Sequence, residues 1–382
     1  MSNFGSDCDP KLRHTMILSL PLTAGLTVLL GCLTATAVAG PPVYQQCPDG
    51  LTCGKLAPRD LPGMVYDCAY SHPAKGAPVL GNVYYMHGDD GMRSKAMYRQ
   101  TMLDAAAAGF TGLSCDQRGY SPGASPYVYA EYSYNKLASD IISLTNAAGF
   151  NATFGGKFHL VAHDQGARIA WHSIATKLTR DLLLSFSSLA IPHADVFSNN
   201  VMGPNAIVSD QTAEQYLRQI TLPNSVQVND NTIFARSCKI FGFDTIDSCQ
   251  ISYWWYNGAI DDGAMALAPL MPFGNDIAAH INISYAMTKA LTQYPLEGVP
   301  QTVKVGVVSK FPVFFACGVQ DNCDLCEQRV LDQTSQLIAS KYTSMMNACG
   351  HNLIDERPNR CPVAESQKVI DGILANIRSA YE

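Results

Sequence analysis

An apolar run meets an alanine-rich segment at Phe158-His159-Leu160-Val161-Ala162-His163-Asp164-Gln165-Gly166-Ala167-Arg168-Ile169-Ala170-Trp171, and a carboxylate stands at the junction. A short apolar run of this kind reads as a buried strand, and the segment after it as a helix. Within the pentad Ala162-His163-Asp164-Gln165-Gly166 a small residue lies two positions to either side of Asp164. Small residues at those places let strand and helix meet through a sharp turn. The turn lifts the middle side chain above the C-terminal edge of a sheet, with a helix N-terminus beneath it. A serine there would indicate an esterase. An aspartate is a nucleophile for sp³ carbon, and the alkyl ester it forms must then be hydrolysed by water.

The elements that must position this group follow an α/β rhythm. Strand-like runs at Val83 to Met86, Gly112 to Ser114, Phe158 to Ala162 and Leu183 to Ile191 alternate with helix-like stretches at Ser94 to Ala108 and Tyr134 to Ala148. That alternation predicts a mostly parallel central sheet flanked by helices. After Pro192 the rhythm stops, and residues 193–290 read as an inserted helical cap. It returns over Val303 to Ala316, with Phe311 to Ala316 rich in β-formers, and the chain ends in a helix from about Ala364 to Tyr381. The expected organisation is a core in two parts, 40–192 and 291–382, with the cap between them.

The 382 residues are 47% hydrophobic and 15% charged, a globular composition that excludes disordered and fibrous chains. The net charge is −6, and no two Lys or Arg residues are adjacent, so no nucleic-acid surface is expected. Met16 to Gly40 holds no charged residue, and Ala37-Val38-Ala39 is the small-x-small pattern of a signal-peptidase site. Residues 1–39 are read as a signal peptide, with an uncleaved signal anchor as the alternative. Leu29-Leu30-Gly31-Cys32 also resembles a bacterial lipobox, which would place a lipid on Cys32. Contact with a membrane is expected only in those last two cases; otherwise the protein is secreted, or held in a secretory lumen or periplasm.

The chain has 13 cysteines, and removing Cys8 and Cys32 with the leader leaves an odd number, so disulfides and at least one unpaired thiol are expected. Cys47/Cys53, Cys238/Cys249 and Cys349/Cys361 are candidate pairs by proximity. Cys323-Asp324-Leu325-Cys326 has no second half for a zinc site and is read as a local disulfide or as unpaired thiols. Asn151-Ala152-Thr153 and Asn282-Ile283-Ser284 are glycosylation sequons where a eukaryotic secretory pathway applies.

From Val83 onward the chain resembles the epoxide hydrolase and haloalkane dehalogenase branch of the α/β-hydrolase superfamily, in which the nucleophile is an aspartate. His87-Gly88 resembles that family's H-G turn, and Asp116-Gln117-Arg118-Gly119-Tyr120-Ser121-Pro122-Gly123 its D-x-R-G-x-S loop. His163-Asp164-Gln165-Gly166 resembles its H-D-x-G elbow, and Ile191-Pro192-His193 the exit from the sixth strand. Gly318-Val319-Gln320-Asp321 stands where the triad acid falls, and Gly350-His351 with Glu356-Arg357-Pro358 where the triad histidine falls. The resemblance implies that Asp164 attacks, that His351 activates the water, and that Asp321 orients His351. It places the oxyanion hole on the backbone N–H groups of Asp89 and Gln165. Trp255-Tyr256-Asn257 and Gln215-Tyr216-Leu217 resemble the cap segments whose two phenols donate to an epoxide oxygen.

The chain departs from the pattern at Asp90, where the family has proline, and at Gln165, where dehalogenases carry a halide-binding tryptophan. Only Arg168 matches the arginine pair of fluoroacetate dehalogenases. The expected substrate is a small apolar or aryl epoxide, with water as the second reactant and no cofactor or metal. The alternatives are a haloalkane or haloacid dehalogenase with the same triad, and a non-catalytic secreted binding protein on this scaffold. His87, His159, His163, His172, His193 and His280 are read as structural, Asp116 and Arg118 as an ion pair that ties down a loop, and Asp261 and Asp262 as a solvated turn.

Overall fold

The computed structural model describes residues 47–88, 95–124, 126, 131, 133–193, 195–196, 200, 309–319, 326–350, 352–354 and 361–382. The leader and nearly all of the expected cap lie outside the described residues. Eight strands form one sheet: β1 (Thr52–Leu56), β2 (Tyr66–Ser71), β3 (Gly81–Met86), β4 (Phe110–Cys115), β5 (Phe158–His163), β6 (Leu183–Leu189), β7 (Val313–Gly318) and β8 (Tyr342–Asn347). Their order is β1-β2-β4-β3-β5-β6-β7-β8. β2 runs antiparallel to both neighbours, and the other pairings are parallel.

Five helices are described: α1 (Arg99–Ala107), α2 (Tyr134–Ala147), α3 (Gln165–Ala175), α4 (Gln328–Ser335) and α5 (Val363–Arg378). Successive residues of a strand face opposite sides, and the two sides of the sheet bury different helices. Leu160, Ala162, Phe186, Val313 and Phe315 pack with Leu137, Ile141, Ile169, Trp171, Val330 and Leu331, from α2, α3 and α4. Val83, Tyr85, Val161 and Phe314 pack with Met102, Ala105, Ile370 and Ile373, from α1 and α5. Central strands covered on both sides have no polar face to show, which is why β5 and β7 are near-continuous apolar runs.

Several elements differ from the sequence reading. β1, β2, β8 and α4 carry no long apolar run: β1 is exposed along most of its length, and β8, Tyr-Thr-Ser-Met-Met-Asn, is half exposed at the far edge of the sheet. The stretch 94–108 begins as a 3₁₀ turn over Lys95–Tyr98 before α1 takes over. β6 stops at Leu189, and Ala190 follows in a left-handed conformation with φ 68°.

The expected pairing of Asp116 with Arg118 does not form, because each finds a better partner from another element. Arg118 forks onto Asp140 of α2, with Nε to Oδ2 at 2.9 Å and Nη2 to Oδ1 at 2.5 Å, and its Nη1 reaches Glu131. The Tyr66 hydroxyl donates to the same Asp140 carboxylate at 3.0 Å, so β2, the loop after β4 and α2 share one buried network. Asp116 instead accepts the backbone N–H of Lys95 at 2.8 Å and its ammonium at 2.5 Å, and both side chains are buried.

The cysteines come together as Cys47–Cys53, Cys68–Cys115, Cys317–Cys326 and Cys349–Cys361, each at disulfide distance. Two of the three pairs suggested by proximity are therefore present, and Cys238 and Cys249 lie outside the described residues. The expectation for the C-x-x-C segment is corrected: Cys326 bonds Cys317 of β7, and Cys323 lies outside the described residues. Such pairs point to an oxidising compartment. Among the described residues no helix is long and apolar enough to cross a membrane.

Two predictions follow from the buried charges. Asp140→Ala strands the Arg118 guanidinium with Glu131 alone, and urea unfolding is expected to show a loss of about 3–5 kcal/mol. Burial pushes the Asp116 carboxyl from 3.8 up to about 6 against the pull of Lys95. The native state then holds that proton where the unfolded chain has lost it, so this group lowers stability as pH rises from about 4 to about 6. Lys95→Met removes the counter-charge, so its destabilisation is expected to be small at pH 5, where the carboxyl is protonated, and to grow toward pH 7.5.

Candidate active site

α3 begins on the residue after Asp164, and the Asp164 backbone stands at φ 51°, ψ −124°. A residue with a Cβ in that region stores strain of about 1–3 kcal/mol and stays there only when its surroundings leave no alternative. Here the backbone is held on both sides. The Asp164 N–H donates to Leu189 O on β6 at 3.1 Å, and the Asp164 carbonyl accepts the first helical bond from the Arg168 N–H at 3.1 Å.

Two glycines make room for the turn. A Cβ on Gly166 would lie 2.5 Å from His87 O and 2.8 Å from Met86 O, so glycine alone lets the first turn of α3 rest on the end of β3. A Cβ on Gly88 would lie 2.5 Å from Asp164 Oδ2, so glycine alone lets the carboxylate rest against that backbone. The half-buried carboxylate thus sits at the C-terminal edge of the sheet and at the N-terminus of α3. The helix dipole there favours its anionic form. The C-terminal edge is also where ligands bind in open α/β sheets.

The neighbouring turn is braced by side chains. His87 Nε2 accepts the Gln117 backbone N–H at 2.8 Å, so the proton lies on Nδ1, which donates to Gly88 O at 2.7 Å. The Gln117 side-chain amide donates to His87 O, and the His87 ring meets Tyr120 edge-on. With its acceptor nitrogen occupied, His87 is a brace for the Gly88 backbone, as its place at the strand end suggests. Lys95, which closes the same connection through Asp116, had no signal in the sequence, because its partner is 21 residues away on another loop.

The Gln165 side chain donates from Nε2 to the Tyr134 hydroxyl at 3.1 Å and is buried against α2. What it offers near Asp164 is its backbone N–H, in the first helical turn where intrahelical acceptors are lacking. His159, His172 and His193 are also buried, and desolvation lowers each to between about 3 and about 4, which keeps them neutral. Among the described residues no cluster of His, Cys, Asp or Glu is arranged to hold a metal.

The strands that lead toward the expected acid and histidine converge. Val319 N–H donates to Asn347 O at 2.9 Å, and a Cβ on Gly318 would overlap the carbonyl oxygens of Cys349 and Gly350. The chain segments that run on to Asp321 and His351 therefore leave the sheet in contact at its C-terminal edge. Of the expected site residues, Asp164 and Gln165 lie together at that edge. Asp89, Tyr216, Tyr256, Asp321 and His351 lie outside the described residues.

No protein-family model matches the chain. Epoxide hydrolase A of Mycobacterium tuberculosis is 29% identical over 117 residues, which cover 31% of this chain and 33% of that enzyme. The chain thus aligns with about one third of its curated relative. A solved structure described among epoxide hydrolases of the α/β-hydrolase superfamily, from metagenomes of hot environments, covers 86% of this chain and 98% of its own, at 18% identity and TM-score 0.56. A candidate acyltransferase from Salmonella enterica covers 86% and 97%, at 15% identity and TM-score 0.61. Likenesses at such identities carry the fold, and fold alone does not choose among its chemistries. The chain has the α/β-hydrolase fold, and it is similar in sequence and in structure to epoxide hydrolases.

Proposed function

We propose that the protein is an exported hydrolase that opens epoxides to vicinal diols through a covalent ester on Asp164. The observation that carries this reading is a carboxylate, where an esterase would place a hydroxyl, at the positive-φ residue between β5 and α3. A carboxylate oxygen attacks an epoxide carbon from the side opposite the ring oxygen, the C–O bond breaks, and the oxygen takes a proton from a phenol. Tyr216 and Tyr256 are the proposed donors. His351, oriented by Asp321, then removes a proton from water, which attacks the ester carbonyl. Collapse of the tetrahedral intermediate releases the diol and restores the Asp164 carboxylate, and the proton taken up by His351 returns through water to the phenolate, so the sum is epoxide plus water giving the diol.

The intermediate's oxyanion needs two backbone donors, for which Asp89 and Gln165 are proposed. The bond from His87 to Gly88 O supports the first, because it braces the residue before Asp89 beside the Asp164 carboxylate. The place of Gln165 in the first turn of α3 supports the second. The commitment of the Gln165 side chain to Tyr134 supports epoxide over haloalkane as substrate, since no indole N–H stands there for a halide. The cysteine pairs and the uncharged leader support export.

His351→Gln should stop the cycle at the ester. Exposed separately to aryl and alkyl epoxides and to halogenated acids and alkanes, this variant is expected to gain an epoxide-derived mass on the peptide containing Asp164. Labelling by halogenated compounds alone would assign dehalogenation instead, and the absence of any label would remove the ester mechanism. Asp164→Ala is expected to abolish both labelling and turnover. Loss of both Tyr216 and Tyr256 should slow labelling by about 10²-fold or more with the fold retained, read by rapid-quench mass spectrometry and circular dichroism.

A further inference from the structure

Two of the cysteine pairs sit at the stems of the segments that carry the proposed acid and base. Cys317 is the penultimate residue of β7, and Cys326 lies just before α4, so the bond between them closes a ring around residues 318–325, Asp321 among them. Cys349 follows β8, and Cys361 lies just before α5, so their bond closes a ring around 350–360, His351 among them. The Cα atoms of the two pairs are 5.4 Å and 4.8 Å apart. Three of the four cysteines are buried in the core, and Cys326 is partly buried. The two stems touch, through Val319 N–H to Asn347 O at 2.9 Å and through the crowding of Gly318 against the Cys349 and Gly350 carbonyls.

We infer that Cys317–Cys326 and Cys349–Cys361 are positioning pairs for ester hydrolysis: they tie down the touching stems, 317–319 and 347–350, from which the chain runs on to Asp321 and His351. This rests on the proposed roles of those two residues. A segment tied at its stem loses much of the freedom it would have between a strand end and a helix start. General-base catalysis is sensitive to such freedom, because a displacement of about 1 Å can cost about 10²-fold in rate. Asp164 is placed otherwise, by β5, β6, α3 and two glycines, and neither of these two pairs closes a ring around it. The two half-reactions therefore depend on the disulfides differently: alkylation of Asp164 does not need them, and hydrolysis of the ester does.

The test uses the full chain and the epoxide that labels His351→Gln fastest. Cys317→Ser/Cys326→Ser and Cys349→Ser/Cys361→Ser are compared with wild type by rapid-quench mass spectrometry. That method reads the rate at which the Asp164 ester forms and the rate at which it disappears. Ester formation is expected to stay within about twofold of wild type and ester hydrolysis to slow by about tenfold or more, so that ester accumulates. Cys47→Ser/Cys53→Ser, which removes the exposed pair that ties β1 to the residues before it, is expected to change neither rate. Equal slowing of both steps, or no change in either, would overturn the inference.

Should a serine pair fail to fold, the same two rates are read on wild type treated with a dithiol. The opened pair is located by iodoacetamide mapping, and the fold is checked by circular dichroism. Failure of the underlying reading is separable: if His351→Gln itself accumulates no ester, the role of His351 falls, whatever the cysteine variants do.

Discussion

The first turn of α3 rests directly on the backbone at the end of β3, and most of what surrounds it follows from that contact. Gly166 is there because any side chain would strike the His87 and Met86 carbonyls, and Gly88 because any side chain would strike the carboxylate. The same contact forces Asp164 into a positive φ that a residue with a Cβ adopts only under constraint. The bonds to Leu189 and from Arg168 supply that constraint from β6 and from the helix. The strain is thus local, while the restraint is spread over three strands and one helix. A carboxylate in such a setting has its backbone fixed in advance, which fits the nucleophile role proposed for Asp164.

Around this centre the connections are held by buried charge more than by apolar packing. Lys95 and Asp116 fasten the far end of the connection that begins at Gly88, and His87 with Gln117 fasten its near end. Arg118 and Asp140 do the same for the next loop. Such pairs contribute little net stability compared with apolar residues of equal volume, and they are costly when broken. An ion pair with additional hydrogen bonds specifies a geometry that methyl groups leave loose, which fits the backbone-donor role proposed for Asp89.

Strands β3 to β7 and the long helices were legible because each buries a complete face, and burial imposes a period on the sequence. Asp164 was legible because a sharp strand-to-helix turn needs small residues at fixed offsets. The edge strands β1 and β8 were hidden, since one exposed side removes the apolar run. The partners of Asp116 and Arg118 were misjudged because closeness in sequence stood in for closeness in space. Their true partners, Lys95 and Asp140, are 21 and 22 residues away, and only the folded sheet brings them in. Cys326 was read as bonded to its near neighbour or as unpaired for the same reason, whereas the end of β7 supplies Cys317.

Cys68 and Cys115 face each other directly across β2 and β4, and their bond joins the one reversed strand among those described to the parallel part of the sheet. The bond joins cysteines 47 positions apart in sequence, and the covalent ring it closes contains β3, the His87-Gly88 turn, Lys95 and α1. A mechanical load entering from the N-terminal side crosses at Cys68 into β4 without passing through that ring. The Gly88 backbone against which the Asp164 carboxylate rests is therefore shielded from tension, whatever the N-terminal segment is attached to.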